Sequence, residues 1–171
     1  SLVAVNSREV VRDPVAGMSP EGTKKPNLTQ DQQSAWGVIK EKLLSPSPSP
    51  ILIRGVTGSG KTELYLRAVE QTQKIGKQAV VLVPEISLTP QTIQRFLDRF
   101  PGRVGVIHSK LSPGERYDTW RRARKGEFSV IIGARSALFT PLINVGVIIL
   151  DECHDDSYYQ SDMGPVYDSL E

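Results

Sequence analysis

The sequence has 171 residues, of which 39% are hydrophobic and 23% are charged. This composition supplies enough apolar material for one core and too little for two large domains. The formal net charge is only +2. The average charge therefore points to no class of partner, and only local clusters of basic residues are informative.

A single cysteine, Cys153, excludes a disulfide framework and a four-cysteine zinc site within these residues. The longest strongly apolar run is residues 145–150, far short of the roughly 20 residues that a membrane span needs. The first residues lack the basic stretch and the apolar core of a signal peptide. We therefore expect no membrane partner. Because an unpaired cysteine is typical of reducing compartments, we also expect the protein to be cytoplasmic.

The chain begins with a stretch rich in turn-forming residues. Prolines and glycines interrupt residues 1–26, and apolar residues show little periodicity there. We interpret residues 1–26 as a linker from a preceding domain and residues 27–171 as one domain. A helix is predicted from residue 29 or 31 to residue 44, where apolar side chains recur on one face. Residues 45–50, SPSPSP, then predict a stiff, polyproline-like loop.

From residue 51 onward, apolar β-branched segments alternate with amphipathic ones. Serine at 112, proline at 113 and glutamate at 115 predict a helix start with a capping box. Strands that are apolar on both faces and separated by helices indicate an α/β fold, with a mostly parallel sheet and helices on both faces. The strands are predicted at 51–54, 79–83, 103–107, 128–132 and 145–150, and the helices at 62–75, 89–100 and 112–125.

Residues 55–62, GVTGSGKT, match the phosphate-binding pattern GxxxxGK[ST] between an apolar segment and a predicted helix. Glycines let the backbone N–H groups turn toward phosphate oxygens, and the helix N-terminus adds partial positive charge. A turn that merely joins strand to helix needs no Lys-Thr pair. We therefore predict a RecA-like P-loop domain, in which Lys61 contacts the β- and γ-phosphates and Thr62 binds Mg²⁺. The predicted nucleotide contacts are Gly55, Thr57, Gly58, Ser59, Gly60, Lys61 and Thr62.

Two acids, Asp151 and Glu152, follow the predicted strand 145–150. Charges at the end of an apolar run are costly without a counter-ion, and Mg²⁺ on a nucleotide supplies one. We expect Asp151 to hold the metal, directly or through water, and Glu152 to orient the attacking water. Taken alone, the two acids fit a helix cap as well as a hydrolytic site. The position of Asp151, ninety residues after Lys61, favours the hydrolytic site.

Residues 151–154, Asp-Glu-Cys-His, form a DExH box, and together with GVTGSGKTE at 55–63 they resemble superfamily-two helicases. The sequence more closely resembles the primosomal protein N′ family, bacterial helicases that restart stalled replication forks. This resemblance also implies that the linker 1–26, with EVVRDP at 9–14, leaves a DNA-binding region. The matching segments between residues 28 and 160 include LTQDQ (28–32), VLVPEISLTPQ (81–91), HSKLSPGERYDTWRRARKGE (108–127) and GARSALFTPL (133–142).

The resemblance assigns expected roles to individual residues. Gln32 matches the glutamine that reads the adenine edge, which makes ATP the expected nucleotide. Pro84 and Glu85 match a motif near single-stranded DNA. Arg135 and Ser136 match a second contact to the DNA backbone, although the preceding Ala134 stands where the family usually has threonine.

Two residues beyond the DExH acids match family positions that link the nucleotide site to the DNA site. His154 resembles the residue that couples the nucleotide site to the DNA side. Tyr158 matches an aromatic-rich loop that senses DNA, in the stretch SYYQ at 157–160. Cys153 departs from the glutamate that the family usually has, without removing a phosphate or metal ligand.

Two weaker signals leave alternatives open. Seven basic residues and three acidic ones lie between residues 108 and 135, which suits either a phosphate contact or a solvated helix face. Trp36 and Trp120 fall within amphipathic helices, and we expect both to be core anchors rather than platforms for stacking bases.

The resemblance implies the first motor domain of an ATP- and Mg²⁺-dependent DNA helicase. Its implied partners are single-stranded or forked DNA, other primosome proteins and single-strand-binding protein. Two alternatives remain, another DExH-box nucleic-acid translocase and a nucleotide-binding regulatory module. The sequence contains no second motor domain, which in helicases supplies the arginine that stabilises transition-state charge. We therefore expect the isolated chain to be inactive or nearly so.

Overall fold

The computed structural model of the protein describes residues 11–22, 25–47 and 49–159. Predictions that fall on residues 1–10, 23–24, 48 and 160–171, including Gln160, lie outside the described residues. The helices are α1 Gln30–Leu44, α2 Lys61–Lys74, α3 Pro90–Arg99 and α4 Pro113–Arg124. The strands are β1 Gln78–Leu82, β2 Val104–Ile107, β3 Val130–Gly133 and β4 Val145–Leu150, and short 3-10 helices cover Glu85–Ser87, Arg135–Phe139 and Asp156–Tyr158.

The four described strands form one parallel sheet in the order β2-β3-β1-β4. Strand β1 is central, and its Val80 lies opposite Ile131 of β3 and Ile148 of β4. Helices provide the crossovers that most parallel strands require. The predicted α/β class with a parallel sheet is confirmed.

Alternate residues of β1 face two different apolar clusters, as the period of a strand requires. Val81 packs into a cluster with α2 and α3 that includes Val69 and Phe96. Leu82 packs on the opposite face, in a cluster that includes Ala123 of α4. Helices therefore cover both faces of the sheet, as predicted.

Helix α4 begins at the predicted capping box, in which Ser112 and Glu115 each accept the other's backbone N–H. The prediction that Trp120 anchors the core is wrong, because its side chain is 40% exposed. The helix instead turns Thr119 and Ala123 toward the sheet. Trp36 agrees with its prediction, since it packs against a small apolar cluster between α1 and α2.

Two predictions about strands are wrong. Residues 51–54 form no strand, and Leu52 is 81% exposed. Strand β4 is at the edge of the described sheet, which leaves Ile148 46% exposed instead of buried. Residues 51–54 pair with no strand of the described sheet, and β4 has a hydrogen-bonded neighbour on one side only, because apolar β-branched sequence favours a strand without specifying its neighbours.

Part of the predicted linker packs against the domain. The Arg12 guanidinium is 3.6 Å from the Asp118 carboxylate of α4, and Asp13 forms an ion pair of 2.7 Å with Arg122. Val15 and Met18 add contacts to the core cluster under α3. The assignment of residues 1–26 to a linker stays a prediction. In the described part of the chain, no helix combines the length and the apolar character needed to cross a membrane.

Candidate active site

A cleft of about 630 Å³ lies where the glycine-rich loop meets the end of β4. The loop and the first turn of α2 form one side of it, and Asp151 and Glu152 lie on another. Helix α3 contributes Arg95, Asp98 and Arg99. The two segments that the sequence predicts to share a nucleotide therefore line the same cleft.

The loop has the backbone shape that its glycines permit. Gly58 and Gly60 have φ values of 80° and 83°, in the left-handed region where other residues are strained. Gly60 caps α2, and Lys61 is the first residue of the helix. The free N–H groups of this helix start therefore border the cleft, where they favour an anion.

Lys61 joins the loop to the acids. Its ammonium donates hydrogen bonds to the carbonyl oxygens of Gly55, at 2.8 Å, and Val56, at 3.3 Å. The same nitrogen lies 3.8 Å from a carboxylate oxygen of Glu152. Lys61 thus lies between the residues predicted to bind phosphate and the residue predicted to orient water.

Asp151 is held from several directions at the carboxyl end of β4. Its Oδ1 accepts hydrogen bonds from the Tyr65 hydroxyl and from the backbone N–H of Glu152, both at 3.1 Å. Burial, together with the neighbouring Asp151 carboxylate, raises the pKa of Tyr65, so the phenol stays a proton donor. Glu152 has a left-handed backbone with φ of 49°, a conformation that costs about 1–2 kcal/mol.

The oxygen donors in the cleft fit Mg²⁺. Thr62 supplies a hydroxyl and Asp151 a carboxylate, and both line the cleft. Within residues 11–22, 25–47 and 49–159, no three or more His, Cys, Asp or Glu side chains form a metal-binding group. Proteins hold Mg²⁺ through one or two carboxylates, and phosphates and water complete its coordination.

Gln32 braces the glycine-rich loop. Its Nε2 donates to the Ser59 carbonyl at 2.8 Å, and its Oε1 accepts the Thr29 N–H at 3.0 Å as part of a capping box. The side chain therefore lies on the loop, with both ends of its amide hydrogen-bonded. Reading of adenine by Gln32 stays a prediction, and the second N–H and the second lone pair of its amide leave capacity for it.

The predicted DNA contacts follow the carboxyl ends of β1 and β3. Pro84 is buried, whereas Glu85 is exposed and its carboxylate accepts a hydrogen bond from Ser109. Arg135 and Ser136 are half-buried in the 3-10 helix after β3. The Arg135 guanidinium donates to the carbonyl oxygen of Tyr159. Their contact with DNA stays a prediction.

The two predicted coupling residues differ in environment. His154 is exposed, and its Nε2 lies 3.6 Å from Glu152. Tyr158 is fully buried, and its hydroxyl lies 2.6 Å from the carbonyl oxygen of Asp151 and 3.0 Å from that of Leu82, so its single proton is shared between two acceptors. Burial and the nearby Asp151 carboxylate raise the pKa of Tyr158. A role for Tyr158 in coupling must therefore pass through the ends of β1 and β4, since its ring is not exposed.

Several basic side chains between residues 108 and 135 bind other parts of the chain. Arg122 forms ion pairs with Asp13 and Glu127 and lies 4.5 Å from the centre of the Phe128 ring. Arg121 is 3.6 Å from Asp118. These residues stabilise the domain, so the basic segment is not one uniform surface for phosphate. The choice between phosphate contact and solvated face stays open for the rest.

The sequence did not point to two residues that line the cleft or contact its lining. Tyr65 could have been found from its spacing, because it follows Lys61 by four residues and shares its helix face. Arg99 of α3 forms ion pairs with Glu63 and Glu70 of α2. No sequence signal indicates that α3 would face the glycine-rich loop.

Comparisons with known proteins agree with this arrangement. A family model of DEAD/DEAH box helicases matches residues 29–170. The chain is 47% identical over 170 residues to the replication restart protein PriA of Bacillus subtilis, which covers 99% of the chain and 21% of that protein. The proteins of the same name from Haemophilus influenzae and Treponema pallidum are 49% and 50% identical over 85% and 77% of the chain, and about 20% of each is matched.

These matches confirm the resemblance to the primosomal helicases. The chain spans about a fifth of the length of each of these relatives.

Proposed function

Because this chain belongs to the DEAD/DEAH box helicase family, we propose that it is the ATP-binding motor domain of a DNA helicase that restarts replication. The observation that carries this proposal is the shared cleft. Lys61 of the glycine-rich loop and Glu152 of the DExH box lie 3.8 Å apart across it. Such a cleft suits a triphosphate whose chain lies on the loop and whose last phosphate faces the acids.

We assign each of these residues a role that its position or the family resemblance supports. Loop amides and the start of α2 bind the phosphates, and the Lys61 ammonium compensates charge on the β- and γ-phosphates. Thr62 and Asp151 would hold Mg²⁺, which when bound neutralises phosphate charge. Glu152 orients the water that attacks the γ-phosphate. Gln32 supports the loop and selects adenine.

The family and the relatives, which are replication restart proteins, support the nucleic-acid side of the proposal. We assign single-stranded or forked DNA to the carboxyl edge of the sheet, where Glu85, Arg135 and Ser136 follow β1 and β3. His154 and Tyr158 connect that edge to Glu152 and Asp151. The partners proposed are other primosome proteins and single-strand-binding protein, and the proposed location is the cytoplasm.

The test compares the full-length protein with its Lys61→Ala variant. Loss of the ammonium should reduce DNA-stimulated ATP hydrolysis and strand displacement on a forked DNA by about a hundredfold or more. Lys74→Ala is the matched control, because Lys74 is exposed at the other end of the same helix. Turnover by Lys61→Ala at the control rate is incompatible with the proposal.

The same assays separate the alternatives. A translocase that does not unwind DNA would hydrolyse ATP in response to DNA without displacing a strand. A regulatory module would bind nucleotide tightly and show hydrolysis that DNA leaves unchanged.

A further inference from the structure

Tyr65 connects the phosphate-binding helix to the acid predicted to hold the metal. It lies on α2, one turn after Lys61, and its side chain is only 7% exposed. Its hydroxyl donates to Oδ1 of Asp151 at 3.1 Å. This contact spans 86 positions in the sequence and joins two elements that line the cleft.

The two carboxylate oxygens of Asp151 differ in their hydrogen bonds. Oδ1 accepts from both Tyr65 and the Glu152 N–H, whereas Oδ2 accepts no hydrogen bond from the described residues. A carboxylate held at one oxygen presents the other in a single direction. That is the arrangement in which a partner behind a metal ligand sets the ligand's orientation.

The backbone of Asp151 is held as firmly as its side chain. The residue donates its N–H to the Leu82 carbonyl at 2.9 Å, and its own carbonyl accepts the Tyr158 hydroxyl at 2.6 Å. With the main chain fixed, the remaining freedom of Asp151 is rotation of its side chain. The Tyr65 hydroxyl restricts that rotation.

We infer that Tyr65 is a positioning residue, which orients the Asp151 carboxylate toward the Mg²⁺ of a bound nucleotide. The inference rests on the proposed function, because it requires Asp151 to be a metal ligand. In this role Tyr65 makes no contact with the nucleotide. The effect of Tyr65 is therefore confined to the metal-dependent part of nucleotide binding.

The experiment measures the affinity of the full-length protein for a fluorescent ATP analogue, first in EDTA and then across a Mg²⁺ titration. Tyr65→Phe removes the hydroxyl and keeps the ring. We expect affinity in EDTA within twofold of wild type and a half-saturating Mg²⁺ concentration raised roughly tenfold, as for other residues that support a metal ligand. Tyr117→Phe is the matched control, because Tyr117 is 67% exposed on α4.

Asp151→Asn and the variant that combines it with Tyr65→Phe complete a double-mutant cycle. Asp151→Asn should raise the Mg²⁺ requirement, and adding Tyr65→Phe should change it no further. If Asp151→Asn raises the requirement and Tyr65→Phe does not, the inference is overturned while the proposed metal site stands. Weaker binding of Tyr65→Phe in EDTA would overturn it too, by indicating a general structural role. If Asp151→Asn leaves the requirement unchanged, the proposed metal site fails and the inference with it.

Discussion

Lys61 and Glu152 face each other across the cleft, with 3.8 Å between the ammonium and the carboxylate. One residue begins α2 and the other follows β4, so this ion pair ties the glycine-rich loop to a residue just beyond the end of that strand. Lys61 also donates to the Gly55 and Val56 carbonyls. In the proposed function, the ammonium would turn from these oxygens toward phosphate when a triphosphate binds.

Glu152→Gln separates binding from hydrolysis. The amide cannot accept a proton from the attacking water, so ATP hydrolysis by the full-length protein should fall by about a hundredfold. Nucleotide affinity should stay within about threefold, because the loop is unchanged. Steady-state hydrolysis and fluorescent-nucleotide binding measure the two effects. Glu41→Gln, at an exposed position of α1, is the control, and a Glu152→Gln protein with control turnover would remove Glu152 from the mechanism.

Gln32→Glu tests the brace on the glycine-rich loop. A carboxylate still accepts the Thr29 N–H, but it cannot donate to the Ser59 carbonyl. ATP affinity should therefore fall about fivefold, equivalent to roughly 1 kcal/mol for one hydrogen bond. Thermal unfolding of the chain should change little, because the helix cap is retained.

The neighbouring Gln33 offers the control, since its amide donates to Leu28 on the exposed side of α1. Gln33→Glu should leave ATP affinity unchanged. If Gln32 also reads adenine, its variant should lose preference for ATP over GTP. Equal effects of the two substitutions would show that added charge, and not the brace, weakens binding.

Tyr158→Phe removes a buried hydroxyl that bridges the ends of β1 and β4. The Asp151 carbonyl then loses its hydrogen bond, and the free energy of unfolding should fall by about 1–2 kcal/mol. Urea unfolding of the 171-residue chain measures this loss. In the full-length protein, DNA should stimulate hydrolysis less, because the bridge ends on the backbone of Asp151.

Tyr159→Phe is the comparison for this effect, because Tyr159 lies one position further and is half exposed. It should leave stability and DNA stimulation unchanged. A Tyr158→Phe protein that is less stable but fully stimulated by DNA would limit Tyr158 to a structural role.

Glu70 should make the free energy of unfolding of the chain depend on pH in the acidic range. Burial alone would raise the pKa of Glu70. Hydrogen bonds and ion pairs with Lys25 and Arg99 outweigh burial and hold this pKa below its ordinary value of 4.5. The unfolded chain therefore binds this proton more readily than the folded one. The contribution is complete above the ordinary pKa and declines as the pH falls through 4.5 toward the lower pKa of the folded state.

Urea unfolding of the chain at pH 7, 5 and 4 measures this dependence. Glu70→Gln should be less stable than wild type at pH 7, and the difference should shrink at pH 4. A constant difference across this range would mean that Glu70 does not titrate in the unfolding reaction. Glu41→Gln, exposed on α1, should show no such trend.

Sequence alone determined the features that depend on neighbours in the chain. The capping box at Ser112, the glycine-rich loop before α2 and the acids after β4 are local patterns, and each adjoins the helix or strand predicted next to it. The α/β class followed from alternation of apolar and amphipathic segments. These signals are readable because caps, turns and periodicity act within a few residues.

Tertiary structure decided which segments meet. Residues 51–54 have strand-like sequence and no paired neighbour, and Trp120 is exposed because α4 turns other residues to the sheet. Tyr65 reaches Asp151 only because α2 packs beside β4. Hydrogen-bond partners and burial depend on residues far away in the chain, and no local pattern specifies them.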